Sequence, residues 1–137
     1  MSKQIFITLP VADLSRSVAF FETLGFSKNP EFTGDNAACM AISETIFVML
    51  APHATFMQFS PKPICDTSKV VEVLHSFTCD SREQVDAMVA AAGKAGGTIH
   101  EQSVDYGFMY HGSFADPDGH LWGLNYMTGQ QVGPSPR

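Results

Sequence analysis

Apolar residues fall in short stretches along the chain, each ended by a residue that interrupts regular structure. Gln4-Ile5-Phe6-Ile7-Thr8-Leu9 is β-branched and aromatic and meets Pro10, which predicts a short buried strand. Asp13 then stands where a helix N-cap belongs, Leu14, Val18, Phe21 and Leu24 follow at helical spacing, and Gly25 supplies a left-handed C′ residue. Two further apolar runs, 37–43 and 45–51, have Ser43-Glu44 between them and read as a hairpin.

The second half repeats this order. Residues 70–79 are strand-like, and Asp80 stands three positions before Glu83 in a capping-box arrangement. Val85, Met88, Val89 and Ala92 line one side of a helix that ends near Gly93 or Gly96-Gly97. Thr98-Ile99, 108–115 and 121–127 supply three more strand candidates. Asp116-Pro117-Asp118-Gly119 joins the last two as a turn, because Pro sets φ, Asp bonds nearby amides and Gly accepts positive φ. Strand-helix-strands therefore occurs twice, which predicts an α+β protein of two modules. We expect a single domain over 1–127, with module one at about 4–51, a connection at 52–69 and module two at about 70–127. The connection holds Pro52, Pro61 and Pro63 with Phe56, Met57 and Phe59, and reads as an ordered crossover or a lid. The tail, 128–137, is expected to be flexible.

Composition narrows the function classes. The 137 residues carry 8 Lys plus Arg against 14 Asp plus Glu, a net charge of −6, with 45% hydrophobic and 16% charged residues. Scattered cations in an acidic chain argue against nucleic acid as a partner, and the mix is that of a globular domain. No apolar run approaches the roughly 20 residues of a membrane span, and Met1-Ser2-Lys3-Gln4 leads directly into the first strand, so a cytoplasmic protein without a membrane partner is expected. Cys39, Cys65 and Cys79 are odd in number and lack CxxC spacing, which suggests reduced thiols.

Three stretches together carry a family likeness: 9–21 (Leu9-Pro10-Val11-Ala12-Asp13 onward), Leu24-Gly25-Phe26, and 113–122 around Asp116-Pro117-Asp118-Gly119-His120. They resemble the vicinal oxygen chelate superfamily, which includes glyoxalase I, bleomycin-resistance proteins, extradiol dioxygenases and methylmalonyl-CoA epimerase. Segments 80–86 and 105–110 resemble a bacterial branch described as lactoylglutathione lyase-like. The resemblance implies two βαβββ modules whose curved mixed sheets form a cleft, often around a divalent metal held by His, Gln or Glu on the first and fourth strands of each module. At the matching positions this chain has Phe6, Met49, Leu74 and Gly123, none of which holds a hard cation. His75 is one residue out of register, and a slip of one reverses a strand side chain's face. The expectation is no metal ligand and no cofactor, with a divalent metal as the alternative.

His53, His75, His100, His111 and His120 show neither HxH nor HExxH spacing. His111 shares a strand face with Ser113 and opposes Tyr110, which makes it a candidate general base beside the reading of a surface histidine. His120 is expected at the edge of its turn, solvent-facing or capping, and Asp116 and Asp118 read as turn formers. Phe6, Thr8, Met49, Leu74, Ser76, Trp122 and Asn125 form the expected ligand pocket, apolar with a few placed polar groups, or else merely fill a closed core. Three functions follow: a metal-free module binding a small hydrophobic or aromatic molecule; a glyoxalase-like lyase or isomerase, using His75 with His111 on a metal or His111 as a metal-free base; and a structural or regulatory protein. Edge strands on curved sheets also predict a homodimer.

Overall fold

Residues 3–128 are described by the computed structural model, and their backbone runs through eight strands and three α-helices. The chain divides at Val70/Val71 into two compact units.

In the first unit, β1 (Ile5–Val11) leads into α1 (Leu14–Thr23), then β2 (Ser27–Lys28), a 3-10 turn at Pro30–Phe32, β3 (Ala38–Ala41), β4 (Ile46–Pro52) and α2 (His53–Phe59). The sheet order is β1-β4-β3-β2, with β1 parallel to β4 and the other pairs antiparallel. Asp13 caps α1 by accepting from the Arg16 amide, and Gly25 follows the helix at φ 97°, both as expected. β1 continues through Pro10 instead of ending there, because β1 is an edge strand paired only with β4. Leu9, Val11, Met40, Val48 and Leu50 alternate onto one face and are buried there, as are Phe20 and Phe21 of α1. Burying each such side chain contributes roughly 1.5–3 kcal/mol. Within the 52–69 connection a helix forms at α2, which the hydrophobic pattern does not announce because none of its residues is buried.

The second unit repeats the topology: β5 (Leu74–Thr78), α3 (Arg82–Lys94), β6 (Val104–Asp105), β7 (Met109–Ala115) and β8 (Leu121–Met127), in the order β5-β8-β7-β6. The strand expected over 70–79 is shortened to β5, and Thr98 makes only an isolated bridge to Ala115, with β6 the added strand instead. The helix cap moves by one residue: Ser81, not Asp80, accepts from the Gln84 amide, while Gln84 Oε1 accepts from the Asp80 amide. Gly112 lets α3 lie close on β7, since a Cβ there would stand 2.8 Å from Val85 and 2.9 Å from Val89. At the end of β8, the Thr128 amide donates to the Phe108 carbonyl; the rest of the expected flexible tail, residues 129–137, lies outside the described residues.

Candidate functional site

Each sheet has a core face and an opposite face, and strand parity assigns every candidate to one or the other. In the first unit Phe6 pairs with Phe47 and Thr8 with Met49, and Met49 also pairs with Cys39, so all five share the face opposite Leu9 and Val48. The Phe6 ring stacks on Phe47 at 4.7 Å and meets the edge of Phe32 at 5.9 Å. Phe6 is nevertheless 43% exposed, and Leu74 of the second unit is 69% exposed, so neither fills a closed core. The surface of the first unit on this side is apolar, with Thr8 as its hydroxyl.

The corresponding face of the second unit differs in chemistry. Thr78, Asn125 and His111 are neighbours across β5, β8 and β7, and Ser76, Gly123 and Ser113 form the adjacent row, with Leu74 beyond. His111 Nδ1 lies 2.5 Å from Asn125 Oδ1. A carboxamide oxygen only accepts, so Nδ1 donates and the neutral ring keeps its lone pair on Nε2. At Gly123 an added Cβ would stand 2.7 Å from Ser76 Oγ and 3.0 Å from His111 Cε1. The position where the resemblance implies a carboxylate ligand is thus a glycine enclosed by a serine and an imidazole.

Trp122 does not join Leu74, Ser76 and Asn125. It stands three residues from Asn125, and an odd separation on a strand places the two on opposite faces. The indole is buried on the helix side, where Nε1 donates to Asp116 Oδ2 at 3.1 Å and the ring lies 4.9 Å from His75. His75 is therefore on the core side too, so His75 and His111 face opposite ways and cannot share a metal ion. Burial, with repulsion from His120, pushes the His75 imidazolium below the usual histidine range. His120 is buried and not solvent-facing; its amide donates to Asp116 Oδ1, as does that of Asp118. Asp116 is thus a turn former, as expected, and also an acceptor for Trp122, with burial raising its pKa. Cys39 and Cys79 are buried thiols whose pKa burial raises, and Cys65 is exposed.

A depression of about 320 Å³ opens within the second unit, lined by Tyr106, Phe108, Met109 and His111. Its wall is the β6–β7 turn: the Tyr106 amide donates to the Met109 carbonyl at 2.8 Å, and Gly107 takes φ 90°. Asp105 fastens that turn by accepting from the Gly107 amide and from Arg82 Nη1 at 2.7 Å, and these bonds hold its carboxyl below the usual range. Arg82 also lies 4.2 Å over the Tyr110 ring, whose hydroxyl donates to Asp86. Of the four lining residues the sequence singled out only His111; Tyr106, Phe108 and Met109 come to it through the β6–β7 turn, whose sequence signal is Gly107 after Asp105.

Among the described residues no group of three or more His, Cys, Asp and Glu could hold a metal ion. The residues present do not fit the metal that the resemblance implies, since Phe6, Met49, Leu74 and Gly123 occupy its ligand positions.

Two βαβββ units of matching strand order define a duplicated α+β protein of the glyoxalase-like class. The sequence profile of the Glyoxalase/Bleomycin resistance protein/Dioxygenase superfamily matches residues 3–124, and the chain belongs to that family. Among solved structures it is similar to a hypothetical protein from S. aureus, at 26% identity and TM-score 0.78, covering 92% of this chain and 95% of that one. A glyoxalase/bleomycin resistance protein/dioxygenase family enzyme from Burkholderia phytofirmans PsJN matches at 18% identity and TM-score 0.75, over 92% and 99% of the two chains. A glyoxalase-related enzyme from Fulvimarina pelagi matches at 17% identity and TM-score 0.76, over 92% and 88%. No curated protein sequence matches the chain.

Proposed function

We propose that the chain is a small-molecule-binding member of its family that holds a hydrophobic or aromatic ligand without the family's metal ligands. The observation that carries this reading is the set Phe6, Met49, Leu74 and Gly123, which replaces charge and imidazole with apolar surface on the faces opposite the buried cores. Exposed apolar side chains with a few hydroxyls are the chemistry of a ligand surface, and methionine adapts to irregular shapes. The test is metal content and melting temperature. Protein purified without chelator is expected to hold no stoichiometric divalent metal, to melt unchanged with nickel, zinc, manganese or iron(II), and to gain stability with apolar aromatic ligands. One bound equivalent of metal that raises the melting temperature would overturn the reading.

A second reading, a lyase or isomerase related to lactoylglutathione lyase, is favoured by one contact. The His111–Asn125 hydrogen bond leaves Nε2 as a base, the arrangement a metal-free proton transfer requires. We also read the protein as a homodimer, because β1, β2, β5 and β6 are edge strands of their sheets, and as cytoplasmic; no helix among the described residues is long and apolar enough to cross a membrane. Sedimentation as a 14.9 kDa monomer would contradict the dimer.

A further inference from the structure

We infer that the depression at Tyr106, Phe108, Met109 and His111 is a site for a flat aromatic ring bearing one hydrogen-bond donor, read by Nε2 of His111. The inference rests on the small-molecule reading above and adds where a ligand binds and which chemistry it carries. Two aromatic side chains and a methionine supply flat, polarisable walls, against which a ring gains offset or edge contacts and sulfur contacts. A volume of about 320 Å³ is at the lower end of small-molecule sites, enough for a one- or two-ring compound. The backbone of the walls is held in place. The turn carrying Tyr106 and Phe108 is tied to Arg82 through Asp105, and Thr128 donates to the Phe108 carbonyl, which lowers the backbone ordering that opposes binding.

The polar requirement comes from the tautomer. Asn125 Oδ1 accepts from the Nδ1–H, which engages the one donor of the neutral ring and leaves Nε2 as an acceptor. A ligand that places an N–H or O–H there makes a hydrogen bond, whereas one that presents a carbonyl meets a lone pair. Asn125 is thus a positioning residue, and His111 the one that touches the ligand.

Indole and 1-methylindole isolate this contact, because they share a shape and differ in the donor. Their binding is to be followed by the Met109 methyl resonance in the full chain. Indole is expected to bind about three- to tenfold more tightly than its methylated analogue, the range of one net hydrogen bond. His111→Phe should keep the aromatic wall and erase the difference. Asn125→Leu should shrink the difference and change the imidazole nitrogen shifts. Equal affinity of the two indoles would overturn the inference and leave the small-molecule reading standing. So would binding of neither indole alongside binding of other apolar aromatics. If no aromatic compound bound at all, both would fall.

Discussion

His75 occupies a position that a one-residue shift in register would have turned into a metal ligand, and its surroundings give it a different consequence. It is buried against Trp122, whose indole N–H donates to Asp116, with His120 close enough to repel its charge. Because its pKa is lowered on folding, the unfolded chain binds the proton more readily. Stability is therefore full above the ordinary histidine pKa of about 6.5 and is lost as pH falls below it. Thermal melts across that window should show the loss. His75→Phe keeps a ring against Trp122 and removes the titration, so the pH dependence there should flatten, and an unchanged slope would mean another group is responsible. The same residue shows where sequence reading succeeds and where it stops. Parity alone separates His75 from Leu74, and Thr8 from Leu9. Parity applied to Trp122 and Asn125 also shows that they cannot share a face, although both lie on one strand and look alike as pocket residues in sequence. The burial of His120 was not legible, because it depends on Asp116 folding the turn back on itself through two amides.

Elements with local punctuation were the readable ones. Asp13 and Gly25 bracket α1, and β8 spans Leu121–Met127 as the apolar pattern indicates. β2 and β6 have two residues each, too few to show any period, and exist because a longer neighbour supplies their hydrogen bonds. The depression depends on one of these hidden elements, since β6 anchors the turn that carries Tyr106 and Phe108. α3 offers a sharper test of element-level reading, because two adjacent residues compete for its cap. Ser81→Ala should cost about 1 kcal/mol of stability, the usual value of an N-cap hydroxyl. Asp80→Ala should leave the denaturation midpoint unchanged, because the Asp80 amide, not its carboxylate, meets Gln84. The opposite ranking would restore the cap expected from the Asp-x-x-Glu spacing.

On the scale of the molecule, duplication is the feature that sequence alone conveyed best. Two units with the same strand order hold their own buried cores, Val48 and Leu50 in one, Phe114 and Leu124 in the other. The segment joining them, 60–73, contains no helix or strand and is largely exposed, with Lys62 and Lys69 on its surface. Proteases cut exposed, irregular backbone first. Limited trypsin digestion should therefore nick within 4–128 at Lys69 before any site inside α1 or α3, as intact mass would show, with Lys62 spared because Pro63 follows it. Early cleavage at Arg16 or Lys94 would instead place the weakest point within a unit.

The enclosed glycine at 123 also bears on which positions of such a protein accept substitution. The helix-packed core of each sheet lies on one face, and the opposite faces differ in chemistry: Phe6, Phe47 and Met49 in the first unit, Ser76, His111 and Asn125 in the second. At exposed positions of these opposite faces, such as Phe6, a substitution leaves the buried core untouched. Gly123 is the exception. A side chain larger than hydrogen there must displace Ser76 and His111, so a carboxylate placed at that position would disturb the very side chains it stands among.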